Sequence, residues 1–465
     1  MGIDCAFSTS FFKASQTILT IRRSISGPTI GLIWSNASIF SIGIDSNTDV
    51  TSPFAPRIGS PFKASSSCPR PILFEFELST FSEAVLSTQA QQSHSCPNQN
   101  HCGGCQLLGQ SQSEQHAVYR HALKQAWTTA SLPQLPSKIK IHGDFVQDGR
   151  SLAEFSYRRY EDRCAVGWFH TDHTELQSIL DCPALTPKLQ SLYRYIANTP
   201  PPIEHCTFRI RVSPDGQLGC WIDTANTAIA TLLSEKLWLK ALMEKALVEI
   251  GQKHKRVTEI NGALKLQKPI LESWFQSYRA DGTAIPLWST IATFSQPSLR
   301  LNQTLVERVI QHITATKARS WLEFGSGSGN FTLPIAALGL KVTATESSSL
   351  GRKGLALGLK PLENGEHVRI SPLNLQRNTA ESRSLISETQ ALLLDPPRSG
   401  IGSMQSTLQN SSSKPKFIVY LACALKGLIT DSQSLFDMGY RLKHIEGIAQ
   451  FPNTTHCEWI ACFEL

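Results

Sequence analysis

The pattern of apolar and polar positions divides the chain into three stretches. Residues 1–90 are rich in Ser, Thr, Phe and Ile and show little sustained periodicity. In SEQHAVYRHALKQAW (113–127) apolar residues recur at helical spacing, which predicts a helix. Across 138–225, short runs such as DRCAVGWFH (162–170) and HCTFRIRVS (205–213) are bounded by turn residues and read as strands. TAIATLLSEKLWLKALMEKALVEI (227–250) reads as one or two amphipathic helices. From about residue 290 the pattern alternates. SWLEF (320–324), LKVTATE (340–346), ALLLD (391–395) and KFIVYLAC (416–423) are strands, and FTLPIAALG (331–339) is a helix. RLKHIEGIAQF (441–451) and HCEWIACFEL (456–465) are the last strands. Alternating strands and helices predict an α/β fold with a mostly parallel, doubly wound sheet. The domains expected are 290–465, carrying that sheet, and a smaller central α+β domain at 91–289, whose helix 113–127 would pack on the first. Residues 1–90 are expected to be an atypical extension, disordered or non-native.

Composition sharpens this outline. The 465 residues, 41% hydrophobic and 17% charged, suit two or three domains with real cores. A net charge of +7 fits a nucleic-acid partner without demanding one. Residues 1–90 hold six acidic and six basic residues, so the whole excess sits in 91–465. A low-acid, Ser-rich start is also a feature of organelle transit peptides, the alternative to a non-functional extension. No stretch approaches the 18 or so apolar residues of a membrane-spanning helix, and no membrane partner is expected. Twelve cysteines in a long chain with ordinary periodic elements argue for a reduced compartment, here the cytoplasm. The dense group in SCPNQNHCGGCQ (95–106) therefore reads as metal-binding. Cys96, Cys102 and Cys105 are spaced C-x5-C-x2-C, which suits zinc or an iron–sulfur cluster with a fourth ligand from elsewhere in the chain.

Four motifs carry candidate chemistry. EFGSGSGNFT (323–332) follows a strand and opens a helix, and its glycines let backbone approach a ligand closely. Asn330 stands where a dinucleotide fingerprint needs its third glycine, and the Lys-Ser/Thr of a phosphate loop is missing. Glu346 ends the next strand about twenty residues on, where a carboxylate can accept ribose hydroxyls. LLLDPPRSG (392–400) ends a strand with Asp395, and its two prolines make a rigid wall for a planar ring. Cys423 ends the next strand, and Glu458 lies at the mouth of the last hairpin beside His456. A thiol and a carboxylate so placed suit a nucleophile and a general base.

The glycine loop and its downstream acid resemble the S-adenosylmethionine (SAM) site of class I methyltransferases, whose domain is Rossmann-like. Over roughly residues 93–465 the chain resembles the RNA uracil-5-methyltransferase family. The motifs are CPNQNHCGGCQ, TFSQPS (293–298), LEFGSGSGNFTLP, LLLDPPRSG, IVYLAC and FPNTTHCE. The resemblance implies SAM-dependent methylation of uracil C5, with Cys423 as nucleophile and Glu458 as base. Phe324, Gly325, Gly327, Gly329, Asn330, Glu346, Gln296 and Asp395 would border the methyl donor, and Asp395, Phe294 and Gln296 the target base. It further implies a [4Fe-4S] cluster on Cys96, Cys102, Cys105 and Cys182, a monomeric enzyme, and 23S ribosomal RNA as substrate. RNA capture would fall to the central domain, with Tyr157, Arg158, Arg159, Arg209 and Arg211 as candidate contacts. Transfer RNA or cytosine-5 methylation, or a catalytically weak iron–sulfur RNA-binding pseudoenzyme, are the alternatives. The chain departs from the family at Ala422, Ala424 and Leu425, where Ser-Cys-Asn-Pro commonly surrounds the nucleophile, and at Ser298, commonly an asparagine.

Overall fold

The computed structural model describes residues 19–21, 30–32, 96–99, 102–143, 149–169 and 175–465. The chain divides into two compact units, residues 1–87 and 88–465. Of the first, strands β1 (Leu19–Ile21) and β2 (Ile30–Leu32) form an antiparallel pair. The rest of the expected extension, with Cys5 and Cys68, lies outside the described residues.

The second unit is built on two eight-stranded sheets. Strand β3 (Ile141–His142) belongs to the later one. The earlier sheet is formed by β4 (Leu152–Arg159), β5 (Cys164–Phe169), β6 (Leu176–Ser178), β7 (His205–Val212), β8 (Leu218–Asp223), β9 (Leu247–Ile250), β10 (Lys255–Ile260) and β11 (Ala263–Gln267). Their spatial order is β11-β10-β9-β8-β7-β4-β5-β6. All neighbours are antiparallel except β8 and β9, which two short helices, Ile229–Ser234 and Lys236–Met243, connect. The helical expectation for 227–250 is thus corrected at its end. LVEI is a strand, because Val248, Glu249 and Ile250 are all buried there beside β8, and tertiary packing overrides local propensity. The core of this sheet is aromatic. Phe155 stacks on Phe208 at 5.3 Å and meets Tyr193 edge-on at 4.8 Å, and Tyr193 stacks on Trp168 at 5.3 Å.

A bulged antiparallel hairpin, β12 (Glu272–Tyr278) and β13 (Ala284–Ser289), leads into the later sheet. That sheet has the order β16-β15-β14-β17-β18-β20-β19-β3. Strands β14 (Ser320–Phe324), β15 (Lys341–Thr345), β16 (Val368–Ser371), β17 (Ala391–Leu394) and β18 (Phe417–Ala422) are parallel. β17 is buried along its whole length and β18 from Ile418 onward, which is why they read as unbroken apolar runs. The final pair, β19 (Arg441–Ile448) and β20 (Glu458–Glu464), is antiparallel, with β20 inserted beside β18.

The predicted N-terminal helix spans Gln112–Thr129, and Ser111 and Glu114 close its start in a capping box. Tyr119, Leu123 and Trp127, four residues apart, form its buried stripe in the same apolar core as β17, β18 and β20. Its polar contacts reach the turn before Glu458. Tyr119 donates to the Thr454 carbonyl at 2.9 Å, and Gln115 and Asn453 exchange two bonds of 2.9 Å.

Two buried charge networks lock the unit. Glu446, 1% exposed at its side chain, accepts from Arg308 Nε and Nη2 at 2.8 Å, His312 at 2.8 Å and His142 at 2.9 Å. Burial opposes its ionisation, but these donors together with His444 hold it well below the usual carboxylate range. The network ties β3 and β19 to the helix Leu299–Ala315. The second network corrects the expected RNA contacts. Arg211 is fully buried and donates to the Thr290 carbonyl at 3.2 Å and Ser295 Oγ at 2.5 Å. Arg209 binds Glu154 and the Ala292 carbonyl, and Glu249 accepts from the Ile291 amide at 3.1 Å. Tyr157 is 1% exposed. Tyr157 on β4 packs into the core of this sheet and Arg211 on β7 is buried against residues 290–295, so these two hold the chain together instead, while Arg209 stays partly exposed. Arg159 bonds the carbonyls of Pro201 and Ile203, and Arg158 stays exposed.

Arg211→Met keeps most of the volume but leaves the Thr290 carbonyl and Ser295 Oγ without their buried donor. It is expected to lower stability by about 3 kcal/mol or more, read as a fall in the urea midpoint. An unchanged midpoint contradicts the role assigned to Arg211.

Candidate active site

Strand direction gathers the candidate residues. β14, β15, β17 and β18 are parallel, so Gly325, Glu346, Asp395 and Cys423, each the residue after or just after a strand's end, emerge at one edge. β20 runs the other way, so its first residue, Glu458, reaches the same edge. The register Ala422↔Trp459 sets Cys423 and Glu458 one step beyond a paired position on adjacent strands. This is the edge at which open α/β sheets bind ligands.

The glycine loop is shaped for close approach. Gly325 has φ +77°, and a Cβ there would stand 3.1 Å from the Asp395 carbonyl. Phe324 is half-buried against the core and its carbonyl accepts from the Asp395 amide at 3.4 Å, so loop and DPPR segment are joined directly. Glu346 Oε2 accepts from the Gly327 amide at 2.9 Å and Oε1 from the Ser348 amide at 2.6 Å. A carboxylate has about four acceptor sites, so capacity remains for ligand hydroxyls. Gly329 carries φ +100° where the loop turns into the helix Thr332–Ala337. Asn330 has a different part from the one expected. Its side-chain amide exchanges two bonds of 2.9 Å with the buried Asn302, and it fastens the loop to the helix Leu299–Ala315. Beyond Glu346 lies a cavity of about 600 Å³ lined by Ser347, Leu373, Asn374, Arg377 and Thr379 among others. The segment SPLNLQR (371–377) was passed over in the sequence because it carries no motif of its own.

Glu323 was also passed over. It is buried one residue before the loop and accepts from Thr332 Oγ1. Burial, and then the charges of Asp395 and Glu346, push its carboxyl up to about 8. The available signal was an acid inside the apolar strand SWLEF.

The three chemical groups share one low-dielectric patch. Burial pushes the half-exposed Asp395 up to about 7. Burial and then Asp395 push Glu458, 3% exposed, up to about 8. Burial, then Glu458 and Asp395, push the Cys423 thiol up to about 11, and Arg398 opposes them. A thiol, two carboxyls poised near neutrality and a nearby guanidinium can exchange protons and support nucleophilic addition. Phe294 and Gln296 stand on a separate segment, which Arg211 holds at Ser295 and Ser151 holds at Pro297. Phe294 is 72% exposed and Gln296 is buried.

The four remaining cysteines also converge. Cys96 and Cys102 sit on tight turns, through Gln99 N to Cys96 O at 3.1 Å and Cys102 N to Asn98 O at 2.8 Å. Asn98 Nδ2 donates to the Asp181 carbonyl at 2.8 Å, which brings the neighbouring Cys182 to this loop. All four thiols are free and half-buried. Burial raises Cys102, Cys105 and Cys182, the last up to about 11, and each is raised further by its neighbours in the group. Arg150 opposes this at all three.

The chain is similar to several known proteins. The family described as tRNA (Uracil-5-)-methyltransferase matches residues 276–463. An uncharacterized RNA methyltransferase of Bdellovibrio bacteriovorus is 32% identical over 370 residues, covering 78% of this chain and 93% of that protein. The 23S rRNA (uracil(1939)-C(5))-methyltransferase RlmD of Enterobacter sp. is 25% identical over 389 residues, covering 80% and 81%. The tRNA (uracil-54, C5)-methyltransferase of Pyrococcus abyssi, solved with S-adenosyl-L-homocysteine, shares the fold with a TM-score of 0.54 at 15% identity, covering 78% and 86%.

Glu458 binds its proton more tightly folded than unfolded, so its burial costs stability increasingly as pH rises from its ordinary 4.5 toward 8. Glu458→Gln removes that cost. The variant is expected to be more stable than the parent at pH 8, with the gap in urea midpoint shrinking toward pH 5. A gap that does not widen with pH contradicts the burial argument.

Proposed function

The chain belongs to the RNA uracil-5-methyltransferase family, and we propose that it transfers a methyl group from SAM to C5 of a uracil in large-subunit ribosomal RNA through Cys423 and Glu458. The observation that supports this mechanism most is the meeting of those two side chains on adjacent strands, beside Asp395 and one loop away from Glu346. The ribosomal substrate follows the 23S rRNA relatives, which match over four-fifths of this chain. Transfer RNA, the substrate in the matched family's description, is the second reading.

Uracil C5 is too weak a nucleophile to attack a sulfonium unaided. The Cys423 thiolate adds to C6, and the electron pair displaced toward C5 forms the new bond to the methyl carbon as the carbon–sulfur bond of the donor breaks. Glu458 then takes the C5 proton, the C5–C6 double bond re-forms, and the thiolate leaves C6. Asp395, poised near neutrality, can donate to or accept from the polar edge of the ring. The exposed Phe294 offers a stacking face, and Gln296 borders the donor. Glu346, through its free acceptor capacity, binds the ribose of SAM, while Gly325, Gly327 and Gly329 let it lie against backbone.

Cys96, Cys102, Cys105 and Cys182 fit a thiolate-held group. They are free and half-buried, neighbours in the group raise Cys102, Cys105 and Cys182, the Gly104 amide donates to Cys102 Sγ at 3.4 Å, and Arg150 supplies positive charge. We assign them a [4Fe-4S] cluster, which when bound would clamp residues 96–105 to Cys182.

Cys423→Ala is expected to abolish methyl transfer and covalent RNA adducts, whereas Glu458→Gln is expected to lower turnover by about 10²–10⁴-fold while an adduct accumulates. Because Glu458 and the Cys423 thiol must both lose their protons to act, kcat/KM should rise with pH through about 8 and keep rising toward about 11. Full activity in Cys423→Ala ends the mechanism, and 5-methyluridine lost from transfer RNA rather than ribosomal RNA in a deletion strain selects the second reading. Anaerobically purified protein is expected to carry roughly four iron and four sulfide per chain. One zinc without sulfide overturns the cluster assignment.

A further inference from the structure

The helix that follows the nucleophile, Leu425–Asp437, begins without a side-chain cap. Ala424 occupies the cap position, and no side chain there accepts from the first turn. A helix start normally gains about 1 kcal/mol from a capping side chain, which also fixes the residue before it. Cys423 is the residue before it here. Something else must hold this turn.

We propose that Asp431 is a positioning residue, whose buried carboxylate fixes the loop after Asp395 to the strand that delivers Cys423 and so sets their separation. The proposal rests on the mechanism given above. Asp431 is 1% exposed and accepts from three separate elements. Its Oδ2 takes the Ile401 amide at 2.8 Å and the Tyr420 hydroxyl at 2.5 Å. Its Oδ1 takes Gln405 Nε2 at 2.9 Å, from the helix Met404–Gln409. Tyr420 lies on β18 shortly before Cys423, and Ile401 lies shortly after the DPPR segment. One carboxylate therefore joins both active strand ends from behind.

The backbone is fitted to this contact. Gly400 has φ +82°, and a Cβ there would overlap the Asp431 carboxylate. One helical turn before Asp431, a Cβ on Gly427 would stand 3.1 Å from the Arg398 carbonyl and 3.2 Å from the Gly400 amide. The loop thus lies directly on the first turn after Cys423. Any shift of the helix moves Arg398, the group that opposes the rise of the Cys423 thiol, together with the thiol itself.

Tyr420→Phe and Asp431→Asn conserve shape, and they are assayed singly and together in the full chain. With substrate RNA carrying 5-fluorouracil, Glu458 has no C5 proton to remove, so the rate of covalent adduct formation reports how well Cys423 is aimed. Each single variant is expected to slow adduct formation and kcat by about 10-fold to 100-fold, with the KM for SAM and the melting temperature little changed. The double variant is expected to be no slower than the slower single one, because both break the same bond. Adduct formation at the parent rate in folded variants overturns the proposal. So do variants that fail to fold, or that lose SAM binding in step with rate, since either makes Asp431 a purely structural residue. If the parent itself forms no adduct, the mechanism fails instead, and the two failures are told apart.

Discussion

Because β20 runs antiparallel between β18 and β19, its first residue rather than its last reaches the edge where the parallel strands end. Four parallel strands deliver the glycine loop, Glu346, Asp395 and Cys423 to that edge, but a parallel strand in the place of β20 would send its opening residue to the far side. The inverted strand brings Glu458 to within one step of the register of Cys423. Every chemical role assigned to this protein depends on that reversal, since a nucleophile and a base must address the same ring.

The edge is expensive to maintain. Glu323, Asp395 and Glu458 are all raised toward or above neutrality by burial, and among the described residues none forms a salt bridge with a basic side chain. Elsewhere the unit treats buried charge differently. Glu446 is given a cation, Arg308, and is held well below the usual carboxylate range. The contrast separates two uses of a buried acid: paired carboxylates fasten elements together, and unpaired ones stay available to move a proton.

Fastening is what makes the earlier sheet matter to chemistry on the later one. Arg211 and Glu249 hold residues 290–295, and so fix the start of TFSQPS, while Ser151 holds Pro297. From the other side, the Leu107 amide, Gln115 and Tyr119 hold Asn453 and Thr454, the turn that ends in Glu458. The cysteine loop immediately precedes Leu107, so whatever orders Cys96–Cys105 also bears on the approach to the base. The cysteine loop thereby stands only a few bonds from the turn that carries Glu458.

The chain alone determined the alternating α/β pattern, the parallel strands that read as apolar runs, the glycine loop, and the candidates Cys423, Glu458, Asp395 and Glu346. Those are legible because burial on both faces leaves an unbroken apolar signature, and because thiols, carboxylates and glycines at strand ends are locally recognisable. Tertiary structure decided the rest. It turned LVEI from helix to strand, turned Tyr157 and Arg211 from surface to interior, and drew Asn330 into a structural amide pair. It also brought forward Asp431, which no motif marks, and Glu323, to which the motif it opens assigns no role. In each case the deciding quantity is which side chain lies across from which after distant strands pair. Local spacing carries no record of that, because the partners are separated by tens to hundreds of residues.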